Sequence, residues 1–266
     1  MVSDFVVLGA TGMQGKIVTR DLLENGYSVL MCGRDKSRIL HLLKKYKKCS
    51  FSYFDARDVD KTAKIIKDSG ADVVVNCVEG DWDLNILNAC AKANASCIDL
   101  GSEIWMTKKQ LAMDSILKKK NIAAITGCGS VPGVGNVMLR YAAEKLDKID
   151  TIEVGFSWDS NIKKFVVPFS IQSILEEFED PAPIIERSKF IKKTPLSSII
   201  EDHHRGIGKQ KEFFVRHPET YTFYRYFKNK GLKNLRFYAG FPRHSFEKII
   251  AMIELGFDSY KEIDFR

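Results

Sequence analysis

Residues 1–35 constrain the fold more than any other stretch, because they have the pattern of strand, glycine turn, helix and strand. The apolar segment Asp4–Leu8 runs straight into Gly9-Ala-Thr-Gly-Met-Gln-Gly15. Glycines at this spacing let the chain turn sharply, let the backbone approach a pyrophosphate and let the helix pack closely on the sheet. The helix then presents N–H groups to the anion. The stretch predicts a nucleotide site with these candidate residues: Gly9, Ala10, Thr11, Gly12, Met13 and Gln14.

The end of the second strand indicates which nucleotide binds. An NAD site places an acidic residue there to accept a hydrogen bond from the ribose 2′-hydroxyl, whereas a 2′-phosphate needs a cation. This chain has Gly33-Arg34 at that point, and a guanidinium binds phosphate through two hydrogen bonds. Arg38 follows one helical turn later. NADP is therefore favoured. The alternatives are Asp35 as an NAD-type acid and Arg34 as a solvated loop cation.

Strand and helix patterns alternate through the first half of the chain. After residue 35, apolar stretches predict strands over residues 50–54, 71–77, 96–99 and 122–125. Helical spacing predicts helices over residues 14–25, 37–45, 59–68, 83–93 and 107–119. Such alternation predicts an α/β fold in which helices cover both faces of a Rossmann-type, doubly wound parallel sheet.

Ligands of such sheets bind at the carboxyl ends of the strands. Three loops lie there: Asn76-Cys-Val-Glu-Gly80, Asp99-Leu-Gly-Ser-Glu103 and Gly127–Gly133. The residues expected to contact the cofactor in these loops are Asn76, Cys77, Val78 and Gly127, with Asp55 beside the adenine. The carboxylates expected to take a proton or hold a substrate ammonium group are Glu79, Asp99 and Glu103. The alternatives are that Asp55, Asp99 and Glu103 cap helices or lie in loops and that Glu79 is solvated.

Composition narrows the class of protein. The 266 residues carry a net charge of +7, which could indicate nucleic-acid binding. The basic runs Lys44–Lys48 and Lys118–Lys120 instead lie at the ends of predicted helices, where positive charge is favourable to the helix dipole. Six cysteines lack the spacing of a zinc site, and no apolar run is long enough to span a membrane. We therefore expect a cytoplasmic protein with two domains that binds neither nucleic acid nor membranes.

Several motifs in the same order resemble the saccharopine dehydrogenase family, and its lysine dehydrogenase-like members in particular. The motifs are Gly9–Gly15, Asn76–Val78, Cys97–Glu103 and Gly127–Asn136, followed by His217-Pro-Glu-Thr220 and Phe237–Phe257. The resemblance implies a nicotinamide-dependent oxidoreductase that transfers hydride at a C–N bond of an amino acid or secondary amine. It also implies a Rossmann domain over residues 1–127 and a second, smaller α+β domain over residues 128–266, which carries the substrate and tends to form the homodimer.

Polar residues of the second half supply candidates for substrate binding. Arg205 and Arg216 can clamp a carboxylate, and His217 can shuttle a proton near neutrality. Cys128 and Gly129 begin this domain and are expected to face the substrate. For the two arginines and His217, a solvated surface position is the alternative. The tandem His203 and His204, expected in a loop, lack a third ligand at suitable spacing, so no metal is expected.

Other patterns in the second half predict structure. The expected elements are a helix over 136–146, a strand over 151–157, a hairpin over 184–192 and a helix over 245–255. The aromatic run Tyr221–Phe227 indicates a packed strand or an interface.

Two departures weaken the resemblance. Ser130-Val131 precede the Pro-Gly pair, so a carboxylate that many relatives have there is absent. The chain also stops at Arg266, before several strands and a last helix that relatives carry, and we interpret it as a shortened member or an incomplete sequence. The alternative function is a non-catalytic NmrA-like NADP-binding redox sensor, which the turn Gly9–Gly12 also suits. Tyr141 and Lys145 have the spacing of short-chain dehydrogenases, a match expected by chance.

Overall fold

A computed structural model describes residues 2–101, 103–159, 162, 164 and 171–257. The chain forms two compact units, Met1–Ala142 and Ala143–Arg266. The first unit extends beyond the domain end expected at residue 127. Among the described helices, none combines the length and apolar character needed to cross a bilayer.

The first unit contains a six-stranded parallel sheet in the order β3-β2-β1-β4-β5-β6. Its strands are β1 (Phe5–Leu8), β2 (Val29–Gly33), β3 (Cys49–Tyr53), β4 (Val73–Asn76), β5 (Ser96–Asp99) and β6 (Ala124–Ile125). Its helices are α1 (Met13–Glu24), α2 (Leu40–Lys45), α3 (Val59–Ser69), α4 (Asp83–Ala93), α5 (Ile104–Ala112), α6 (Asp114–Lys119) and α7 (Val134–Ala143). This order reverses beside β1, which is the arrangement of a doubly wound fold, so the predicted fold class is confirmed.

Strands β1 and β2 are apolar along their length because helices cover both faces of the sheet. Val6 and Leu8 pack on one face and Val7 and Met31 on the other, and all four are fully buried. Helix α1 buries Gly15, Thr19 and Leu23 against the sheet. Helical spacing also predicts a buried Ile17, but this prediction is wrong, because the residue lies on the solvent side of α1 with 52% of its surface exposed.

The second unit is built on a mixed sheet in the order β10-β11-β12-β8-β9, with β7 paired in parallel to β12. Its strands are β7 (Thr151–Ser157), β8 (Ala182–Glu186), β9 (Lys189–Lys193), β10 (Ile200–His204), β11 (Gly208–Phe214) and β12 (Asn234–Gly240). Its helices are α8 (Ile171–Glu179), α9 (Glu219–Phe227) and α10 (Arg243–Glu254). Phe213 contacts Phe178 of α8 at a ring distance of 4.5 Å and Phe246 of α10 at 5.8 Å. These aromatic contacts join the helices to the sheet.

Three expectations about elements were wrong. Of the two alternatives for the run Tyr221–Phe227, the packed strand is wrong: the run lies in α9, because Glu219, Phe223 and Phe227 recur at helical spacing on its buried side. His203 and His204 lie in β10, which pairs with β11 through a turn, instead of in a loop. The helix expected over 107–119 is divided into α5 and α6 at Met113.

Candidate functional site

The turn between β1 and α1 has the backbone geometry of an anion cradle. Gly9 adopts a left-handed φ of +79°, and the N–H of Ala10 donates to the carbonyl of Cys32 at 3.0 Å. Helix α1 begins at Met13 with Gly12 as its N-cap, and no side chain caps this end. An uncapped helix start offers backbone N–H groups to a bound phosphate.

Glycine is required in this turn because backbone atoms approach from two sides. A Cβ on Gly9 would lie 2.6 Å from the carbonyl oxygen of Cys77, and a Cβ on Gly15 would collide with the carbonyl oxygen of Gly9. The N–H of Cys77 donates to the carbonyl of Leu8 at 2.8 Å, which fixes the end of β4 against the turn. This close backbone packing at Gly9 and Gly15 is typical of glycine turns that bind the pyrophosphate of a dinucleotide.

The end of β2 gives the site a cation. Thr11 packs so closely on Gly33 that a Cβ there would lie 2.6 Å from the Thr11 hydroxyl oxygen, and Arg34 follows with an exposed side chain. Asp35 accepts hydrogen bonds from the N–H and hydroxyl of Ser37, at 2.9 and 2.6 Å, and caps a short 3₁₀ helix. These hydrogen bonds lower the pKa of Asp35. Asp35 therefore has a structural use, and the exposed Arg34 is the candidate partner for a 2′-phosphate.

Asp55 lies just past the end of β3 and is engaged by Arg57. The Arg57 guanidinium donates from Nε at 3.0 Å and from one terminal nitrogen at 2.5 Å. These bonds hold the pKa of Asp55 well below its usual range, with Arg34 adding a smaller effect. A cavity of about 650 Å³ opens here, lined in part by Tyr53, Asp55 and Lys61. The cavity has room for a flat base beside the strand end.

Asn76 at the end of β4 is buried and shapes the loop that follows it. Its side-chain amide donates to Asp83 at 2.7 Å, and its oxygen accepts from the N–H of Val78 at 3.1 Å. Burial raises the pKa of the neighbouring Cys77 to about 12, so this side chain stays a neutral thiol at physiological pH. Asn76 thus holds the Cys77–Val78 backbone, and Cys77 gives the site no thiolate.

Asp99 at the end of β5 joins two loops of the site. One carboxylate oxygen accepts from the N–H groups of Gly101 and Gly127, both at 2.8 Å, and the other accepts from the Gln110 side chain at 2.7 Å. Burial raises the pKa of Asp99 although these hydrogen bonds act against the shift. Pro132 packs against Gly101 and Gly127 and closes the loop. Asp99 therefore anchors the loop after β6 to the end of β5.

The other candidates of the first unit lie around these strand ends. Glu79 is exposed and precedes a short 3₁₀ helix without capping it. Glu103 stands at the N-cap position of α5 and makes no capping hydrogen bond. Cys128 is exposed, and its N–H donates to the carbonyl of Asp99 at 2.7 Å. The N–H of Gly129 donates to the carbonyl of Pro132 at 2.8 Å.

The candidates of the second unit have three different environments. Arg205 is exposed in the turn between β10 and β11. Arg216 forms an ion pair with Asp180 at 2.6 Å. His217 is buried, stacks on Phe237 at a ring distance of 4.8 Å and contacts the buried carboxylate of Glu219 at 3.0 Å through Nδ1. His217 is therefore packed within this unit and is not a solvated surface histidine.

Sequence patterns did not identify three buried polar side chains. Two of them fix residues of the candidate cofactor site, and the third lies in the second sheet. Asp83 fixes Asn76, and Gln110 fixes Asp99 from α5. Glu212 is fully buried in β11 and contacts His204. The signal in each case was a polar residue at an apolar position of a helix or strand pattern, which requires a buried partner.

Residues 5–125 match the sequence model of a family described as the saccharopine dehydrogenase NADP-binding domain. The matched region contains the cradle, Arg34 and Asp99. The cofactor in this description agrees with the cation at the end of β2 and confirms NADP as the expected cofactor.

Two relatives extend the likeness into the second unit. Carboxynorspermidine synthase of Vibrio cholerae serotype O1 is 26% identical over 207 residues, which are 73% of this chain and 49% of that protein. Carboxyaminopropylagmatine dehydrogenase of a Synechocystis strain is 22% identical over 273 aligned positions, covering 98% of this chain and 68% of that protein. The chain thus spans about half the length of the Vibrio cholerae relative.

A solved structure covers both units. Saccharopine dehydrogenase (L-Glu forming) from Saccharomyces cerevisiae superposes on 97% of this chain and 59% of its own, with a TM-score of 0.74 and 12% sequence identity. At this identity the likeness shows the fold.

Proposed function

Because residues 5–125 match the model of the saccharopine dehydrogenase NADP-binding domain, we propose that the chain is a member of this family and an NADP-dependent oxidoreductase acting at the C–N bond of an amino acid or secondary amine. The observation that carries the proposal is the glycine cradle at β1–α1 with Arg34 beside it. The named relatives, a synthase and a dehydrogenase of amine compounds, support catalysis over a sensor role.

The residues of the first unit would hold NADP along the strand ends. The N–H groups at the start of α1 face the pyrophosphate, Arg34 pairs with the 2′-phosphate and the cavity beside Asp55 takes the adenine. When bound, NADPH supplies the hydride that reduces the carbon of a C=N bond, and a proton completes the amine nitrogen. Asp99 positions the backbone of Gly101 and Gly127 next to this chemistry.

The substrate that we propose is a secondary amine with a carboxylate and a further cationic group. The names of both relatives denote a carboxylated norspermidine or agmatine derivative. Arg205 is the better carboxylate partner of the two arginines, because Arg216 already pairs with Asp180 and Arg205 makes no ion pair among the described residues. Glu79 and Glu103 are proposed to hold the amine cation, Cys128 and Gly129 to border the substrate, and His217 to relay a proton.

The test of this function is NADPH consumption with purified full-length chain. Aldehydes and keto acids offered together with di- and polyamines should consume NADPH, and carboxylated polyamines offered with NADP should produce it. Binding of NADPH without turnover of any compound in this panel would contradict the proposed reaction. That result would favour the alternative function, a non-catalytic NADP-binding sensor. We also propose a cytoplasmic homodimer, and light scattering of the purified protein measures its mass.

A further inference from the structure

The second sheet brings three metal-ligating side chains together on one face. Asp202 and His204 lie in β10 and Glu212 lies in β11, and their ligand atoms are all within 4.8 Å of one another. The antiparallel register pairs Asp202 with Gln210 and His204 with Gly208. Since side chains alternate along a strand, these residues share a face. His203 lies on the opposite face.

The Glu212 carboxylate is held at the centre of this cluster. It is fully buried, and its Oε1 contacts Nε2 of His204 at 2.5 Å and accepts from the Ser157 hydroxyl at 2.8 Å. Its Oε2 has no hydrogen-bond partner within the described part of the chain. Gly155 of β7 lies beside this oxygen, and a Cβ there would be 2.6 Å from Oε2, so the glycine leaves room for the carboxylate.

Among the described residues, the two carboxylates of the cluster have at most one cationic partner, the imidazole of His204. Within the described ranges, neither Asp202 nor Glu212 forms an ion pair with a lysine or arginine. The nearest lysines in β11, Lys209 and Lys211, alternate onto the other face, where Lys209 pairs with Glu201 at 2.8 Å. A buried carboxylate with an unpaired oxygen costs several kcal/mol unless a cation compensates it. Two carboxylates and one imidazole therefore create a place for a cation.

We propose that Asp202, His204 and Glu212 bind one divalent transition-metal ion such as Zn²⁺. Imidazole and carboxylate are ligands that zinc accepts in proteins. Zinc ligands lie about 2.1 Å from the metal, so the His204–Glu212 contact must widen by about 1 Å when the metal ion enters between them. The half-buried ring of His204 and the exposed Asp202 give access from solvent. Ser157 orients Glu212 from behind.

The proposal is independent of the oxidoreductase function and is tested by zinc binding. Full-length protein freed of metal by chelator is titrated with Zn²⁺ in a calorimeter. All samples carry Cys128→Ser, because that exposed thiol is a competing zinc ligand. We expect one site per chain in this background and in His203→Ala, which is the matched control from the adjacent position. His204→Ala should weaken binding at least 100-fold, and Asp202→Asn at least tenfold.

Each result either supports or overturns the site. Equal zinc affinity of His203→Ala and His204→Ala, or no stoichiometric binding by the background protein, overturns it. Circular dichroism checks that His204→Ala is folded. Asp202→Asn changes an exposed side chain, so it keeps the test decisive if the other variant does not fold, and unchanged affinity of Asp202→Asn also overturns the site.

Discussion

Asp99 shows how a single residue can serve the site through the backbone. Its carboxylate accepts three hydrogen bonds, two of them from the glycines of neighbouring loops. A proton carrier needs an oxygen directed at the substrate, whereas both oxygens of Asp99 are directed at the protein. We therefore expect Asp99 to act by positioning Gly101 and Gly127.

The raised pKa of Asp99 makes stability depend on pH. A carboxyl whose pKa is raised by folding stabilises the protein fully below its ordinary value of 3.8, and this contribution is lost as the pH rises through the folded-state pKa. Asp99→Asn removes the titration and keeps an oxygen for both glycines. Gln110 can turn its unpartnered Oε1 toward the new amide. The free energy of unfolding of the wild type minus that of the variant should therefore fall as the pH rises above 3.8.

Urea unfolding at a series of pH values measures this difference. Asp99→Ala is the control, because it removes the acceptors and should cost about 1–3 kcal/mol for each donor left unpaired. A difference between wild type and Asp99→Asn that grows with pH would show that the carboxylate is stabilised in the folded state, contrary to the expectation.

Arg34 is the residue expected to distinguish the two nicotinamide cofactors. Arg34→Ala should weaken NADPH binding about 10- to 100-fold, because it removes a charged hydrogen bond to the 2′-phosphate. NADH binding should change little, because NADH has no 2′-phosphate. Arg38→Ala, an exposed arginine one helical turn away, is the matched control with a smaller effect. Fluorescence titration with both cofactors gives the constants, and equal losses for NADPH and NADH would refute the 2′-phosphate contact.

The turn before α1 can be compared with a second glycine turn that follows the same helix. Gly9 and Gly26 have similar φ values, +79° and +87°, but nothing lies within 4 Å of a Cβ on Gly26. Alanine at either position meets the same backbone strain. Gly9→Ala also forces a contact with Cys77, so it should lower the free energy of unfolding by about 1–3 kcal/mol more than Gly26→Ala.

Chemical denaturation and NADPH titration of both variants separate strain from collision. Only Gly9→Ala should lose cofactor affinity, because Gly26 lies at the far end of α1. Equal destabilisation of the two variants would mean that the β4 backbone moves away at no cost.

Elements of the first unit were predictable because parallel strands and covering helices have strong local patterns. The strand Ser96–Asp99 and the helix Asp83–Ala93 have the expected bounds. In the second unit, β10 depends on pairing with β11, and a window of sequence does not show that pairing. The candidate cofactor residues Gly9 and Arg34 were predictable for the same reason, because each follows from the residues next to it in the sequence. The hydrogen bond between Ser157 and Glu212 was not predictable, because these residues are 55 positions apart.

At the scale of the whole molecule, the two units should respond separately to the cofactor. The matched NADP-binding domain lies within the first unit. Without an amine substrate, NADPH should slow hydrogen exchange at the starts of α1 and α4 and at the end of β2. Exchange in β11 and β12 should stay unchanged. Mass spectrometry of exchanged peptides measures this, and equal protection in both units would contradict it.

The parallel pairing of β7 with β12 affects the order in which the chain can fold during synthesis. Thr151 and Asn234, bonded across these strands, are 83 positions apart. The ribosome adds about 5–20 residues per second, so β7 emerges several seconds before its partner exists. The last strand of the first sheet ends at Ile125, so all strands of that sheet are synthesised before β7. In the cell, the half of the chain that forms the second sheet therefore passes through an interval with an unpaired strand, when a chaperone would be most useful to it.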